Sequence, residues 1–359
     1  MFLLRVVRAC VRSLLWLRLL LGMMFLHASR FLDRFRSDGV VDEALARRRN
    51  SLLTWTLVPL LLLGAVVFDA DGGSGDAGSV GGGSSRVTTS RYVNWMTDDL
   101  AQDREVSYRL GCRGGERGES GVVVLAFGRQ VTAGGTRGFW GPETLRPYSQ
   151  IAEVVAAYRD GLVECGAGPL VLAVTTSNYE LYDETEAAGF GSAWLALVSS
   201  IADRGAVRIE GGSDLEPGWG GLAAARAWVS AFKATGRVLY SNASADGCPL
   251  AGSGGGCANG WDTTSLAELV WGGGGVAVPQ IYRRDGAQAR QWRVLATHWS
   301  RLGGVPLFGG VMTQYRACKQ VQNASCPQLS QPHDLAYAQL RRLLDDGVVL
   351  PVGTDVGWG

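Results

Sequence analysis

Three carboxylates lie close together in the chain, where their side chains could act as a pair. Glu210, Asp214 and Glu216 fall within the segment 209–219 (IEGGSDLEPGW). On an extended segment, residues two apart point to the same side, and one ionised carboxylate raises the pKa of the other. Hydrolysis of a glycosidic bond needs one protonated carboxyl group and one ionised partner. Asp214, Glu216 and Glu210 are therefore the candidate catalytic residues.

Aromatic and polar side chains that could bind a sugar stand at the ends of the other predicted strands. Trp and Tyr rings offer flat apolar faces on which sugar rings stack, and polar side chains can hold the hydroxyl groups. The candidate substrate-binding residues are Trp219, Tyr240, Asn242, Gln280, Tyr282, Gln314 and Asp355. Trp140 and Trp261 are two further aromatic candidates.

The same acidic segment has a purely structural interpretation. Glu216 precedes Pro217 and a Gly-rich turn into a predicted helix at 222–235, so that Asp214 or Glu216 could cap that helix. Glu210 could be a charged residue inside a barrel. Both interpretations remain open from the sequence alone.

Alternating strand and helix patterns must position these side chains. The predicted strands are 122–127, 170–175, 207–210, 238–241, 276–282, 306–311 and 348–353. The predicted helices are 149–165, 191–204, 222–235, 264–271, 287–302 and 333–346. Seven such units in about 270 residues predict an α/β fold, a TIM-type (β/α) barrel with its site at the carboxyl ends of the strands. An eighth strand is expected near 91–96 or within 132–148, and a doubly wound open sheet is the alternative.

Several other kinds of chemistry lack the residues they need. The chain has no GxSxG, HExxH or P-loop motif, and His298 and His333 are the only histidines beyond residue 86. No GxGxxG motif follows the first predicted strand. We therefore expect no cofactor and no metal ion.

The net charge of +1 hides two regions of opposite charge. Residues 1–50 hold ten Arg and four acidic residues, whereas the rest of the chain has a small acidic excess and lacks the basic surface that nucleic acid requires. The uncharged run 52–68 directly follows three Arg residues and predicts a transmembrane helix. Residues 1–51 would then be a cytoplasmic, Arg-rich amphipathic segment, 69–87 a Gly/Ser-rich linker, and 88–359 an extracytoplasmic domain. Whether 14–26 also enters the membrane stays open.

Six of the seven cysteines lie beyond the predicted membrane helix, where disulfides persist. Two pairs bracket short loops and are easily bridged, Cys248 with Cys257 and Cys318 with Cys326. Cys112 and Cys165 would form the remaining pair. Unpaired thiols are the alternative, because six cysteines allow many connectivities. The spacings do not favour zinc.

The acidic segment also carries a resemblance to known proteins. Together with 238–241 (VLYS) and 278–282 (VPQIY), it resembles the glycoside hydrolase-like (β/α) barrels of bacterial cell-surface proteins and is similar to the barrel-type muramidases. It looks still more like secreted actinobacterial proteins with an Asp-Leu-Glu-Pro-x-Trp segment, over most of 119–358. The resemblance implies that Glu216 is the acid and Asp214 its partner. The chain departs from the muramidases in having no acid on strand 122–127, and in the residues 211–213 that separate the motif from its predicted strand.

These observations together predict a single-pass protein of the cell membrane with its large domain outside. Its partners would be the lipid bilayer, through 52–68, and a cell-wall polysaccharide, with no nucleic acid. The expected function is that of a glycoside hydrolase-like protein acting on or binding a cell-envelope polysaccharide. The alternative is a non-catalytic barrel that binds a glycan or a protein in the envelope.

Overall fold

The computed structural model of the chain describes residues 86–138, 144–251, 255–321 and 326–359. They fall within one compact unit, Gly82–Gly359. The predicted cytoplasmic segment 1–51, the predicted membrane helix 52–68, all but the end of the linker 69–87, and Trp140 lie outside the described residues. Among the helices that are described, none has both the length and the apolar character needed to cross a bilayer.

The strands of the described residues form one sheet. They are β1 (Thr88–Tyr92), β2 (Gly121–Val131), β3 (Gly135–Arg137), β4 (Arg146–Pro147), β5 (Leu170–Ser177), β6 (Val207–Asp214), β7 (Leu239–Ser241), β8 (Val276–Ala277), β9 (Val311–Thr313) and β10 (Gly353–Trp358). Eight of them run parallel in the order β8-β7-β6-β5-β2-β1-β10-β9, and β3 and β4 extend β2 as an antiparallel flap. Two isolated parallel bridges, Ala277 to Phe308 and Gln280 to Met312, link the segments at the two edges of this order.

The helices of the described residues alternate with the parallel strands. They are α1 (Leu100–Glu116), α2 (Tyr148–Glu164), α3 (Glu184–Ser200), α4 (Leu222–Phe232), α5 (Thr263–Trp271), α6 (Ala287–Arg301), α7 (Tyr315–Val321), α8 (Cys326–Leu329) and α9 (His333–Arg341). The predicted parallel α/β, TIM-like arrangement is thus confirmed. Strand β1 supplies the strand expected near 91–96, while α1 has no counterpart among the predicted helices.

Both faces of the parallel sheet are covered, which explains the continuous apolar runs. In β2, Val123, Leu125 and Phe127 are completely buried in the larger core that contains the helices. Val122 and Val124 belong instead to a second cluster of buried residues, with members from β5, β7, β9 and β10. Parallel strands that are buried on both faces need apolar side chains at successive positions, as the sequence shows.

Three disulfides close the fold, with the pairing that the spacing suggested. Cys112–Cys165 joins α1 to the residue that follows α2, Cys248–Cys257 closes a loop after β7, and Cys318–Cys326 joins α7 to α8. The alternative of unpaired thiols is therefore wrong for these six residues. Disulfides of this kind persist in oxidising compartments.

Helices α1 and α2 approach each other closely because glycines lie at their contact. A Cβ atom on Gly111 would be 2.0 Å from the carbonyl oxygen of Tyr158, and one on Gly161 would be 2.1 Å from that of Tyr108. The Ser107 hydroxyl donates to the carbonyl of Val154 across the same contact, at 2.7 Å. Any larger residue at the two glycines would push the helices apart.

We therefore expect Gly111→Ala to lower the free energy of unfolding by about 2 kcal/mol or more, because the added methyl group meets backbone atoms that cannot move aside. Gly189→Ala is the matched control: it lies in α3, and its Cβ would meet nothing within 4 Å. That control should be neutral or stabilising by up to about 1 kcal/mol. Chemical denaturation followed by circular dichroism measures both. Equal stabilities for the two variants would contradict the close helix contact.

Candidate active site

Strand β6 carries the acidic pair to the rim of the sheet. The strand runs from Val207 to Asp214, so the glycines that the sequence pattern places in a loop belong to the strand. A Cβ on Gly211 would be 2.1 Å from the ring of Phe232, and one on Gly212 would be 2.1 Å from Thr175 Oγ1. The two glycines make room for these side chains, and the motif follows its strand directly. The expected separation of motif and strand is therefore wrong.

The three residues at the end of β6 alternate in direction. Leu215 is 1% exposed and packs in the helix-facing core. Asp214 and Glu216, on either side of it, are half-buried and both line a cavity of about 260 Å³. The prediction that the two carboxylates share one side is confirmed. The cavity lies at the carboxyl ends of the strands, where TIM-like folds hold their sites.

The backbone of Glu216 is fixed by a neighbouring side chain. Asn178, buried at the end of β5, donates from Nδ2 to the Glu216 carbonyl and accepts from the Glu216 N–H, both at 3.0 Å. The Trp219 N–H donates to the same carbonyl at 3.0 Å and closes a turn that contains Pro217. These bonds use main-chain atoms of Glu216 and leave its carboxyl group directed to the cavity.

Helix capping does not explain the acidic pair. The N-cap of α4 is Gly221, and no side chain accepts a capping hydrogen bond there. The Asp214 carboxylate accepts instead from Gln280 Nε2 at 2.6 Å, and the same Nε2 donates to the carbonyl of Asn242 at 2.9 Å. The capping interpretation of Asp214 and Glu216 is therefore wrong.

The two carboxyl groups strongly resist simultaneous ionisation. Burial raises the pKa of Asp214, and the hydrogen bond from Gln280 opposes that rise. Burial also raises the pKa of Glu216 well above its usual range, and the charges of Asp214 and Asp246 raise it further. A charged carboxylate beside a second one in a poorly solvated site favours a single shared proton. Burial favours the protonated form of both carboxyl groups, and the charge of Asp214 further disfavours ionisation of Glu216.

Aromatic rings form part of the cavity wall. Tyr92, Trp219, Tyr282 and Trp358 all line it. The rings of Tyr92 and Trp358 lie 5.0 Å apart, and the Tyr92 hydroxyl donates to Gln314 Oε1 at 3.1 Å. Burial, followed by the neighbouring Tyr92, raises the pKa of the Tyr282 phenol well above its usual range. The wall thus offers flat apolar faces with polar groups beside them.

Six of the ten predicted site residues lie together. The residues that line the cavity are Asp214, Glu216, Trp219, Gln280, Tyr282 and Gln314. Glu210 does not line it: it precedes Asp214 by four strand residues, or about 13 Å along the strand, and contacts Arg237 at 3.8 Å. The structure therefore separates Glu210 from the acidic pair.

The other three predicted residues lie outside the cavity lining, within the strands or just after them. Tyr240 packs in the smaller cluster of buried residues. Asn242 is 1% exposed and acts through its carbonyl, which accepts from Gln280. Asp355 accepts from Thr313 Oγ1 at 2.8 Å and so connects β10 to β9. Among the further aromatic candidates, Trp261 is buried and donates from Nε1 to a main-chain carbonyl, so a sugar cannot stack on it.

Sequence reasoning missed several residues of the cavity. Tyr92 ends β1, a strand whose polar sequence gave no clear signal. Asp246 and Gln288 also line the cavity and bond to each other, Gln288 Nε2 donating to Asp246 Oδ2 at 3.0 Å. Gln288 further accepts from the N–H of Tyr282 at 2.6 Å. Of these residues, only Asp246 could have been predicted from the sequence, because it follows β7 and TIM-like sites form at strand ends.

Comparisons with known proteins give no family for this chain. No model of a known protein family matches it, and no curated protein sequence is significantly similar to it. In the part of the chain that the structure describes, no group of three or more His, Cys, Asp or Glu residues could hold a metal ion. The site must therefore be interpreted from its own geometry.

The raised pKa values predict how stability depends on pH. Below about pH 4 both carboxyl groups are protonated in the folded and the unfolded chain, so their burial costs little. As pH rises above about 4, the unfolded chain releases these protons while the folded chain retains them, so the stability of the wild type falls until pH passes the raised folded pKa values. Asp214→Asn and Glu216→Gln should therefore gain stability relative to the wild type as pH rises.

Chemical denaturation between about pH 3 and about pH 8 measures this effect. Asp98→Asn replaces an exposed carboxyl group and is the control. A stability difference between wild type and the cavity variants that does not change with pH would show that the cavity does not disfavour the ionised pair.

Proposed function

We propose that the protein is a membrane-anchored, extracytoplasmic glycoside hydrolase-like barrel that acts on a cell-envelope polysaccharide. The observation that carries the proposal is the pair Asp214 and Glu216 at one end of β6, both lining the cavity and both with raised pKa values. Glycosidic hydrolysis needs a protonated acid beside an ionised carboxylate. The proposal extends the TIM-like sheet to a complete (β/α) barrel closed at β8 and β9.

The surroundings of the two carboxyl groups support different roles for them. Gln280 donates a hydrogen bond to Asp214 at 2.6 Å and favours the ionised form of both carboxyl groups. The charges of Asp214 and Asp246 act on Glu216 in addition and favour its protonated form. Glu216 is then the acid that protonates the leaving oxygen, and Asp214 stabilises the positive charge or activates water. These roles agree with those implied by the resemblance to barrel-type muramidases.

The cavity wall suits a carbohydrate. Trp219 remains partly exposed beside Glu216, and its ring meets Tyr179 edge to face at 5.8 Å. Amphipathic rings of this kind stack on the apolar face of a sugar, while Gln280 and Gln314 can bond to its hydroxyl groups. The departure from the muramidases remains, since β2, the strand that contains 122–127, carries no acid.

The cysteines support an extracytoplasmic location for the large domain. All six cysteines of the large domain lie in disulfides, which form and persist outside the cytoplasm. Anchoring through 52–68 rests on the sequence, since that segment is outside the described residues.

Release of soluble sugar from purified cell envelope tests the hydrolytic function. Glu216→Gln keeps the shape of the side chain but cannot supply a proton, so sugar release should fall about 100-fold or more. Glu268→Gln is the control, because Glu268 is an exposed residue of α5 that pairs with Arg226 away from the cavity. Equal release by wild type and Glu216→Gln would overturn the acid role of Glu216.

Purified cell envelope also distinguishes hydrolysis from the alternative function, that of a non-catalytic glycan-binding barrel. That alternative predicts saturable binding of envelope polysaccharide with no sugar release by the wild type. Binding would then be insensitive to Glu216→Gln but weakened by Trp219→Ala, because Trp219 lines the cavity with an aromatic face.

A further inference from the structure

Arg146 is a buried cation in the wall of the same cavity. The residue lies in β4, on the flap that extends β2, and is 3% exposed. Its Nε atom is enclosed and has no hydrogen-bond partner among the described residues. A Cβ on Gly138 would lie 3.2 Å from both terminal nitrogens of the guanidinium, so a larger residue at this position would crowd them.

No ion pair among the described residues neutralises this charge. Burial lowers the pKa of Arg146, and among the described carboxylates the charge of Asp103 raises it. Asp103 is already bound to Thr97, accepting from its N–H at 2.9 and 3.0 Å and from its hydroxyl at 3.0 Å. None of the ion pairs of the described residues joins Asp103 to Arg146. A buried guanidinium without a paired carboxylate is costly, since burial removes its hydration.

We propose that Arg146 binds an anionic substituent, a carboxylate or a phosphate, of the polysaccharide on which the site acts. The substrate class is then an acidic polymer, and this inference rests on the proposed function. The planar guanidinium matches both kinds of oxygen anion with paired hydrogen bonds. Binding would supply the counter-charge that no described residue provides through an ion pair.

The sheet order places this anion at a distance from the acidic pair. Arg146 lies in β4, which is joined to β2 through β3, whereas Asp214 ends β6, and β5 lies between β6 and β2. Arg146 and the acidic pair therefore line the cavity from different strands. We place the anionic group on a part of the polymer away from the bond that is cleaved, where it is kept apart from the charge of Asp214.

Affinity for three forms of one envelope polysaccharide tests the inference. The forms are the native polymer, the polymer with its carboxylates reduced to alcohols, and the polymer with its phosphates removed by hydrofluoric acid. Binding is measured by biolayer interferometry on the full chain carrying Glu216→Gln, so that the polymer stays intact. Removing the recognised anion should weaken binding about tenfold or more. Whichever treatment does so identifies a carboxylate or a phosphate.

Arg146→Gln, added to the same chain, should lower affinity for the native polymer by a similar factor and abolish the difference between native and treated forms. Arg113→Gln is the matched control, because Arg113 is exposed on α1 and does not line the cavity. The Arg146 variant should also be no less stable than the control, since it removes an unpaired buried charge. The comparison of the three polymers needs no Arg146 variant, so equal affinities would overturn the inference even if that variant fails to fold.

Equal affinity for all three polymers would overturn the inference. Weaker binding of the treated polymers with no effect of Arg146→Gln would also overturn it, because another residue would then hold the anion. Sugar release from the charge-stripped polymer at the native rate would overturn this inference and leave the hydrolytic function standing. Binding that depends on Arg146 without any sugar release would uphold the inference and contradict hydrolysis.

Discussion

Two hydrogen bonds from one side chain hold the segment on which the site depends. Asn178, which directly follows β5, is 2% exposed and bonds to both the N–H and the carbonyl of Glu216. The position of Glu216, two residues beyond β6, is therefore fixed by the neighbouring strand end. Leu215 anchors the same segment from the other side, in the core beneath the helices. The direction of both carboxyl groups follows from these two contacts. An isolated Asp-x-Glu tripeptide has no such constraint.

The acidic pair is also connected to the strands beyond it. Gln280 lies in the segment after β8, and its side-chain amide donates both to Asp214 and to the carbonyl of Asn242. One amide group thus connects this segment to the ends of β6 and β7. Gln288 makes a similar connection: its side chain donates to Asp246 and accepts from the main-chain N–H of Tyr282. Buried polar groups polarise one another when all are bonded. The ionisation of the pair is therefore a property of several strand ends rather than of one motif.

The sequence predicted the features that periodicity and spacing encode. The alternation of apolar runs and helical patterns indicated the parallel α/β fold, and the two-residue spacing of Asp214 and Glu216 placed them on one side. Other features depend on tertiary contacts. In the sequence, Gly211 and Gly212 suggest a loop. In the structure they lie in a strand, where Phe232 and Thr175 occupy the space that larger side chains would need. Helix α1 contains few apolar residues and packs through glycines, and β1 is mostly polar, so neither α1 nor Tyr92 gave a periodic signal.

One wall of the cavity is held by a covalent bond. Cys318 and Cys326 both line the cavity, and their disulfide ties α7 to α8 beside it. Disulfides form and persist in oxidising compartments and are rare in a reducing cytosol. Protein intended for binding or activity assays therefore has to be produced where this crosslink can form.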